Sequence, residues 1–188
     1  LAEAKEAGVD GLIVVEPDRS LSLTQVGRER ATAVMRKHRL AERLLTDVLQ
    51  LDLSRVHEEA CRWEHVMSEE VEKRVVAVLH NPYRSPFGNP IPALAELGVD
   101  EDASLEHGTR AIDLDLSSPV EARVVQISEI LQLNLPVFRE LAAAKIGIDS
   151  TVTLSRGDDG DILVASGLGS TVTLSDDIAH AFRVSPTA

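Results

Sequence analysis

The sequence predicts a mainly α-helical N-terminal unit followed by a small C-terminal β domain. Two observations carry this prediction. Apolar residues recur with the helical period between about residues 25 and 80, whereas short runs of alternating apolar residues follow after residue 118. Charge divides the chain in a similar place, because residues 1–99 have a net charge of −3 and residues 100–188 a net charge of −9. Such asymmetry indicates two modules with different tasks.

Composition narrows the class of protein. The 188 residues are 44% apolar with a net charge of −12, so the chain can bury one good core or two small ones and is not a uniformly basic nucleic-acid binder. A single cysteine excludes an internal disulfide framework and suits a reducing cytosol, so we expect a cytoplasmic protein. No apolar run approaches the ~20 residues that a membrane-spanning helix requires, and no secretory leader opens the sequence. We therefore expect no membrane partner.

A short hairpin and a long helix are predicted near the N-terminus. Leu1–Val9 has the composition of the end of a helix. Gly11–Val15 and Leu21–Leu23 have strand-like patterns on either side of a polar turn, which predicts a hairpin. Thr24 is a good N-cap, and the helical period continues from it to about Leu49.

Two shorter helices and a stiff loop complete the helical unit. A helix over about Arg55–Met67 is capped by Asp52 or Ser54, and a third helix begins after Ser68 with acidic residues in its first turn. Four prolines within eleven residues stiffen the loop that follows, and Leu94–Leu97 adds a short helical turn.

The C-terminal part of the sequence predicts a linker followed by short strands. Asp100–Ser118 is acidic and rich in small residues, which favours a linker. A helical stretch, Leu135–Ala144, lies between the first and second of four strand-like runs. A segment of this kind predicts a small β-barrel or a partly open sandwich. The four runs are Ala122–Ile127, Thr151–Ser155, Asp161–Ala165 and Ser170–Leu174.

The second predicted helix carries a stripe of side chains that bind metals. At about 100° per residue, four such side chains lie within an arc of about 100°. Imidazole, thiolate and carboxylate groups are ligands of first-row transition metals. On the preceding helix, His38 and Glu42 are one turn apart on a single face. The four residues of the stripe are His57, Cys61, Glu64 and His65.

Helix geometry favours two metal sites over one. His57 and Glu64 are roughly 10 Å apart along the helix axis, because each residue advances the helix by about 1.5 Å, so one ion cannot use both ends of the stripe. One site would combine His57 with the pair on the preceding helix. The other would combine the remaining ligands, Cys61, Glu64 and His65.

Other interpretations of these side chains stay open at this point. Each residue could be an ordinary solvent-exposed or core side chain, as single helical His, Cys and Glu residues usually are. The cluster could also form a catalytic metal site, which needs an open coordination position beside a substrate pocket. A cysteine protease, with Cys61 beside His57 or His65, lacks an evident third group and oxyanion hole.

Three longer strings carry a resemblance to a known family. They are residues 33–45, AVMRKHRLAERLL, residues 57–68, HEEACRWEHVMS, and residues 85–92, SPFGNPIP. They resemble the diphtheria toxin repressor and iron-dependent regulator family of metal-activated transcription repressors. The resemblance implies a winged helix-turn-helix DNA-binding domain, of which residues 1–32 are a remnant and the hairpin is the wing. It further implies a helical dimerisation and metal-binding domain at 33–99, a linker at 100–117 and an SH3-like domain at 118–188.

The resemblance also implies two metal sites and an anion pocket. The primary, activating site corresponds to Cys61, Glu64 and His65. The ancillary site combines side chains of both helices with two from the β domain, namely His38, Glu42, His57, Glu129 and Gln132. The adjoining anion pocket corresponds to Arg39, Ser85 and Asn89.

Two features of the family are missing from the sequence. One is a methionine near the start of the family's first helix, which completes the primary site, and the other is the helix-turn-helix itself. Leu1–Val9 resembles the end of that first helix and Asp10–Leu12 the residues that enter the wing. In the family the helix-turn-helix lies between these two points, so we expect that Val9–Asp10 is not a natural junction. The basic residues that neutralise phosphates lie in that region, which would explain the acidic net charge. If the junction is genuine, the chain is a metal-binding adaptor without DNA binding.

The function implied by the resemblance is that of an iron(II)-dependent repressor, not an enzyme. It would bind operator DNA as a homodimer. We expect the two copies to meet through apolar faces of the second and third helices, around Trp63, Val66, Val75 and Val78, although some of these side chains must fill the helical core instead. The implied cofactor is Fe²⁺, for which Co²⁺, Ni²⁺, Zn²⁺ or Mn²⁺ can substitute in vitro, and no organic cofactor is expected. In manganese-sensing relatives a carboxylate usually replaces Cys61, so the thiolate favours iron. A manganese-responsive regulator of the same fold stays the alternative.

Overall fold

The computed structural model describes residues 11–80, 82–100, 102 and 105–187, which form a helical unit followed by a six-stranded sheet. This is the predicted order of a mainly α-helical part and a β domain. The predicted helix end at Leu1–Val9 and the Val9–Asp10 junction lie outside the described residues. No helix within the described ranges is long and apolar enough to cross a membrane.

The N-terminal hairpin lies directly on the first turn of the longest helix. Strands β1 (Ile13–Val15) and β2 (Leu21–Leu23) pair in antiparallel fashion, and Thr24 caps α1 (Gln25–Asp47) by accepting a hydrogen bond from the Gly27 amide at 3.0 Å. A Cβ atom at residue 27 would lie 2.0 Å from the Leu12 carbonyl oxygen, so glycine permits α1 to approach the hairpin this closely. The predicted domain boundary at residues 32 and 33 falls within the continuous helix α1.

The two shorter helices begin at the predicted caps. Asp52 caps α2 (Leu53–Trp63) and Ser68 caps α3 (Glu69–Val78). Helix α2 ends earlier than predicted, because Glu64 is its C-cap and the chain turns after it. The last two residues of the predicted metal-binding stripe therefore lie at and beyond the end of the helix.

A buried ion cluster holds α1, α3 and the following 3₁₀ turn (Leu94–Leu97) together. Arg36 Nε donates to Glu72 Oε1 at 2.8 Å, and Arg36 Nη1 donates to Glu96 Oε2 at 2.6 Å. Arg36 and Glu72 are almost fully buried, so each charge depends on the other for compensation. Around them lies a small apolar core of Leu40, Val75, Val76, Ile91, Leu94 and Val99.

The β domain is an antiparallel sheet with the strand order β3-β8-β4-β5-β6-β7. Short helices α4 (Glu129–Leu133) and α5 (Leu135–Ala143) follow β4, and α6 (Asp176–Ala179) precedes β8. The strands are β3 (Thr109–Arg110), β4 (Val120–Ile127), β5 (Thr151–Arg156), β6 (Ile162–Ser166), β7 (Thr171–Leu174) and β8 (Phe182–Pro186).

The segment predicted to be a linker is partly structured. Strand β3 pairs with β8, and Ala111 and Leu116 are buried in the core, so the C-terminal half of residues 100–117 belongs to the β domain. The sequence pattern missed β3 and β8, which gain their partners through contacts distant in the chain.

The proline-rich loop joins the helical unit to the sheet. The Ile127 amide donates to the Phe87 carbonyl oxygen at 2.9 Å, and the rings of Phe87 and Phe138 meet edge to face at 5.7 Å. Gly88 has a φ of 77°, and a Cβ there would lie 2.0 Å from the Val125 carbonyl oxygen. One apolar core extends through this junction, from Ala41 and Leu45 of α1 to the sheet.

Candidate metal centre

Helices α1 and α2 bring two histidines and a glutamate together in a buried cluster. His38 and Glu42 lie one turn apart on α1, and both are buried because α2 packs across them. His38 Nε2 is 3.0 Å from Glu42 Oε1 and 3.2 Å from His57 Nδ1. These contacts join the three helical residues that the resemblance assigns to the ancillary site.

His38 also connects this group to the residues predicted for the second site. Its Nδ1 atom is 2.7 Å from Glu64 Oε2, and Cys61 Sγ is 3.8 Å from His57 Nε2. Candidate ligand atoms of His38, His57 and Cys61 lie within 4.8 Å of one another. The helical geometry of α2 separates His57 from Glu64 as expected, but a side chain from α1 bridges the gap. Members of both predicted ligand groups therefore form one continuous cluster of His38, Glu42, His57, Cys61 and Glu64.

Two predicted ligands lie outside the cluster. The side chain of His65 is 70% exposed, with Nε2 at 3.4 Å from Glu64 Oε1. Glu129 Oε1 instead accepts hydrogen bonds from Arg39 Nε and Nη2, both at 2.8 Å. An arginine and a glutamate so distant in the chain carry no local signal of this pairing, so sequence reasoning did not find it.

Gln132 lies beside the cluster. It lines a cavity of about 300 Å³ together with His57 and Cys61, with leucine and phenylalanine side chains forming the apolar wall. Its Nε2 atom donates to the Ile127 carbonyl oxygen at 3.0 Å. Its buried Oε1 atom has no hydrogen-bond partner within the part of the chain that the structure describes. The amide oxygen is thus available to a ligand near the cluster.

The charges of the cluster act on its protonation. Burial lowers the pKa of His38, but hydrogen bonds and charge from Glu42 and Glu64 outweigh it, so the net pKa is raised. Burial raises the pKa of Glu42, but the hydrogen bonds from His38 and His57 outweigh burial, so the net pKa is lowered. Burial and the carboxylates of Glu64 and Glu42 raise the pKa of the Cys61 thiol. Without a cation, the cluster therefore favours a protonated His38 and a neutral thiol.

The donor set fits a divalent transition metal. It offers imidazole nitrogen, thiol sulfur and carboxylate oxygen at short range, a mixture typical of first-row ions and unsuited to Mg²⁺ or Ca²⁺. Glu42 Oε2 is buried and accepts no hydrogen bond from any described residue. A buried carboxylate oxygen without a donor is costly, and a cation would compensate it.

The residues assigned to the anion pocket meet where the proline-rich loop touches β4. Each is engaged by the protein. Arg39 contacts the Pro90 carbonyl oxygen besides Glu129, and Ser85 Oγ accepts from the Phe87 amide at 3.2 Å. Asn89 donates to the Ile127 carbonyl oxygen at 2.9 Å. In this arrangement the carboxylate of Glu129 holds the guanidinium that an anion would need.

Comparisons with known proteins agree with this fold. Residues 24–93 match the family model described as iron dependent repressor, metal binding and dimerisation domain, and residues 106–186 match the diphtheria toxin repressor SH3 domain. The chain is 54% identical over 175 residues to the diphtheria toxin repressor of Corynebacterium glutamicum, covering 93% of this chain and 76% of the relative. It is 47% identical over 177 residues to the iron-dependent repressor IdeR of Mycobacterium tuberculosis, covering 93% and 77%.

Solved structures show the same fold. A manganese-dependent transcriptional repressor in complex with manganese has 30% sequence identity and a TM-score of 0.69, covering 89% of this chain and 76% of that one. The IdeR of T. acidophilum has 27% identity and a TM-score of 0.71, covering 94% and 76%. The family models and these relatives thus place the chain in the class of metal-dependent transcriptional repressors, which are regulators and not enzymes.

Within that class, this chain belongs to the diphtheria toxin repressor and IdeR family. The resemblance seen in the three sequence strings is confirmed, as is the fold class of helices followed by an SH3-like β domain.

Proposed function

We propose that this protein is an iron(II)-dependent repressor that binds operator DNA as a homodimer when the cluster of α1 and α2 holds metal. One observation carries the proposal. In a chain of this family, nitrogen and sulfur ligands of His38, His57 and Cys61 converge within 4.8 Å, with the carboxylates of Glu42 and Glu64 against them. Action on DNA would place the protein in the cytoplasm.

The proposed ligands divide as the family resemblance implies. His38, Glu42 and His57 would hold the ancillary ion, with Gln132 Oε1 nearby to complete it. Glu129 would have to leave Arg39 to join them. A second, activating ion would be held by Cys61, Glu64 and His65, of which the exposed His65 is free to turn. When bound, each divalent ion would supply a positive charge that offsets the carboxylates and holds α1 and α2 together.

Helix α1 is the element through which metal binding would affect the DNA-binding part. It carries His38 and Glu42 near its middle, and its first turn holds the β1–β2 hairpin through Thr24 and Gly27. Ligands of the cluster bias the position of this helix relative to α2. If one position suits operator DNA better, metal and DNA binding strengthen each other by the same factor.

The proposed dimer uses an apolar surface of α3 and of the turn that precedes it. Val66 is 81% exposed, and Val71 and Val78 are about half exposed. Val75, expected at the interface, instead lies in the apolar core with Leu40, so it cannot contribute contact area. A second copy of the chain would cover the exposed valines.

The thiol of Cys61 supports iron over manganese in this proposal. Thiolate is a soft ligand that suits Fe²⁺ better than the oxygen-preferring Mn²⁺. A manganese-responsive regulator is the second candidate, because a solved relative of 30% identity is titled a manganese-dependent repressor. Competition between the two ions for the purified protein, followed by operator binding, separates these candidates.

Operator binding tests the proposed function. We expect the full-length protein to shift a promoter fragment of an iron-regulated gene with Fe²⁺ under anaerobic conditions, and to release it when a chelator is added. Cys61→Ser should weaken the metal response by about tenfold or more, because the site loses its soft ligand. Equal operator binding after complete metal removal would contradict the proposal.

A further inference from the structure

The ion pair between Arg39 and Glu129 joins helix α1 to the β domain. Glu129 Oε1 lies 2.8 Å from both Nε and Nη2 of Arg39. The two side chains are only 15% and 21% exposed, so water screens their attraction less than it would at an open surface. The pair therefore holds the carboxylate of Glu129 more firmly than a surface contact would.

Both partners of this pair are neighbours of the metal cluster. Arg39 directly follows His38 in α1, and Glu129 is the first residue of α4. Residues three apart in a helix share a face, and Gln132, three residues after Glu129, lines the same cavity as His57. The α4 face that carries Glu129 is thus the one that meets the cluster.

The guanidinium of Arg39 has a second partner, the carbonyl oxygen of Pro90. If Glu129 leaves, Arg39 keeps this hydrogen bond but loses the negative charge that offsets its own. A half-buried guanidinium stays charged at physiological pH, so the loss of its carboxylate costs free energy. Any other cation that takes Glu129 must supply that free energy.

We propose that Arg39 competes with the ancillary ion for the carboxylate of Glu129 and so sets the metal concentration at which that site fills. The inference rests on the proposed function, in which Glu129 joins the ancillary ion. A carboxylate that stayed on Arg39 while it bound metal would bring the guanidinium charge close to a divalent cation, and like charges repel. Arg39 is thus a positioning residue, which acts on the metal through Glu129.

This competition makes metal affinity depend on the strength of the ion pair. The paired arrangement and the metal-bound arrangement are two states of one side chain, and the ion shifts the population toward the second. Because the pair favours the first state, it lowers the affinity of the ancillary site. The same pair keeps the β domain docked on α1 while the carboxylate waits near the cluster.

Titration with Co²⁺ against a competing chelator tests the proposal. The parent is the full-length protein with Cys61→Ser, which removes the soft ligand of the activating site, in a chloride buffer without phosphate or sulfate. We expect Arg39→Gln to raise Co²⁺ affinity about fivefold or more, because Glu129 no longer has to leave a cation. The metal-free variant should have a lower urea midpoint than the parent, whereas general damage to the fold would lower both quantities.

Two control variants separate the competition from a simple loss of positive charge. Arg43 directly follows Glu42 in α1 but pairs with Asp47 at 2.5 Å, so Arg43→Gln removes a nearby charge without releasing Glu129. Its effect on Co²⁺ affinity should stay below about twofold, because solvent screens a half-exposed pair. Glu129→Gln should lower the affinity, and adding Arg39→Gln to it should give no gain beyond that of Arg43→Gln.

Three results would overturn the proposal: unchanged or weaker Co²⁺ binding by Arg39→Gln, an equal gain in Arg43→Gln, or an equal gain when Glu129→Gln is also present. A parent that binds no Co²⁺ would reject it as well, whereas operator binding without metal would reject the proposed function instead. If Arg39→Gln does not fold, Arg39→Lys decides. Lysine keeps the charge but cannot offer two fixed nitrogens to one carboxylate, so Co²⁺ affinity should still rise, and unchanged affinity would reject the competition.

Discussion

His38 connects candidate ligands of both helices. Its two ring nitrogens contact Glu42 and His57 on one side and Glu64 on the other. The types of side chain in this cluster were predictable from the sequence, because their spacing on α2 and α1 places them on facing stripes. The central position of His38 was not, because it depends on how α1 crosses α2. The Arg39–Glu129 pair was equally hidden, since its partners meet only when the β domain docks.

We expect His38→Gln to weaken metal binding at both ligand groups. Glutamine keeps a polar side chain of similar length but lacks the second ring nitrogen that contacts Glu64. The loss should be about tenfold or more in metal affinity, measured with a competing chelator of known affinity. His107→Gln is the control, because His107 is exposed and remote from the cluster in the sequence. Equal loss in both variants would refute a specific role.

The metal-free protein should lose stability above neutral pH. The raised pKa of His38 contributes stability that is complete below the ordinary value of 6.5 and disappears as pH rises through the folded-state pKa. The lowered pKa of Glu42 contributes above the ordinary value of 4.5 and is lost as pH falls through the folded-state pKa. Both contributions coincide between those ordinary values.

Urea unfolding of the metal-free protein at about pH 5.5 and about pH 8 measures this effect. The midpoint should be higher at the lower pH, and the difference should shrink in His38→Gln. Metal affinity should change in the opposite direction, because metal displaces protons from Cys61 and His38. A pH difference that persists in the variant would show that other groups cause it.

At the scale of elements, local chemistry predicted the helix starts and missed two strands, β3 and β8. Thr24 and Ser68 cap α1 and α3 as predicted, because an N-cap side chain satisfies amides of its own first turn. The end of α2 was placed too late, since apolar residues beyond Trp63 continue the helical pattern into a turn. Strand β8 gains its hydrogen bonds from β4 and β3, about which its own sequence says nothing.

Gly88 is an element-scale test of how the proline-rich loop docks on β4. Gly88→Ala should destabilise the protein by about 1 kcal/mol for the left-handed backbone and by about 2 kcal/mol more for the contact with the Val125 carbonyl oxygen. Gly98→Ala is a matched control, because Gly98 has a φ of 80° but nothing within 4 Å of an added Cβ.

Thermal or urea unfolding of both variants compares the two costs. The difference between them isolates the clash from the backbone strain. If Gly88→Ala is no less stable than Gly98→Ala, the loop does not approach β4 as closely as the structure has it.

At the scale of the whole molecule, the proposed dimer is tested at its most exposed apolar side chain. Val66→Glu should abolish dimerisation, because a charge at the centre of an apolar contact is costly to bury. Sedimentation velocity should show a monomer that keeps its helical circular dichroism. Leu168→Glu, at a 71% exposed position in the turn between β6 and β7, should leave the dimer intact. A dimeric Val66→Glu protein would move the interface elsewhere.

The division into a helical part and a β domain was predictable from the sequence, but the apolar core that the two parts share was not. The change from helical to alternating periodicity marked where the β domain begins. That one core runs under both parts follows from contacts such as Phe87 with Phe138, which no local pattern encodes.

This continuous core determines how far the effect of a substitution in the sheet can reach. An apolar truncation deep in the sheet, at Phe182 for instance, loosens the same packing on which Ala41 and Ala60 rest, one residue away from Glu42 and Cys61 along their helices. Substitutions far from any candidate ligand would therefore weaken the response to metal, and genetic screens for unresponsive repressors should recover changes in the sheet alongside changes of the ligands themselves.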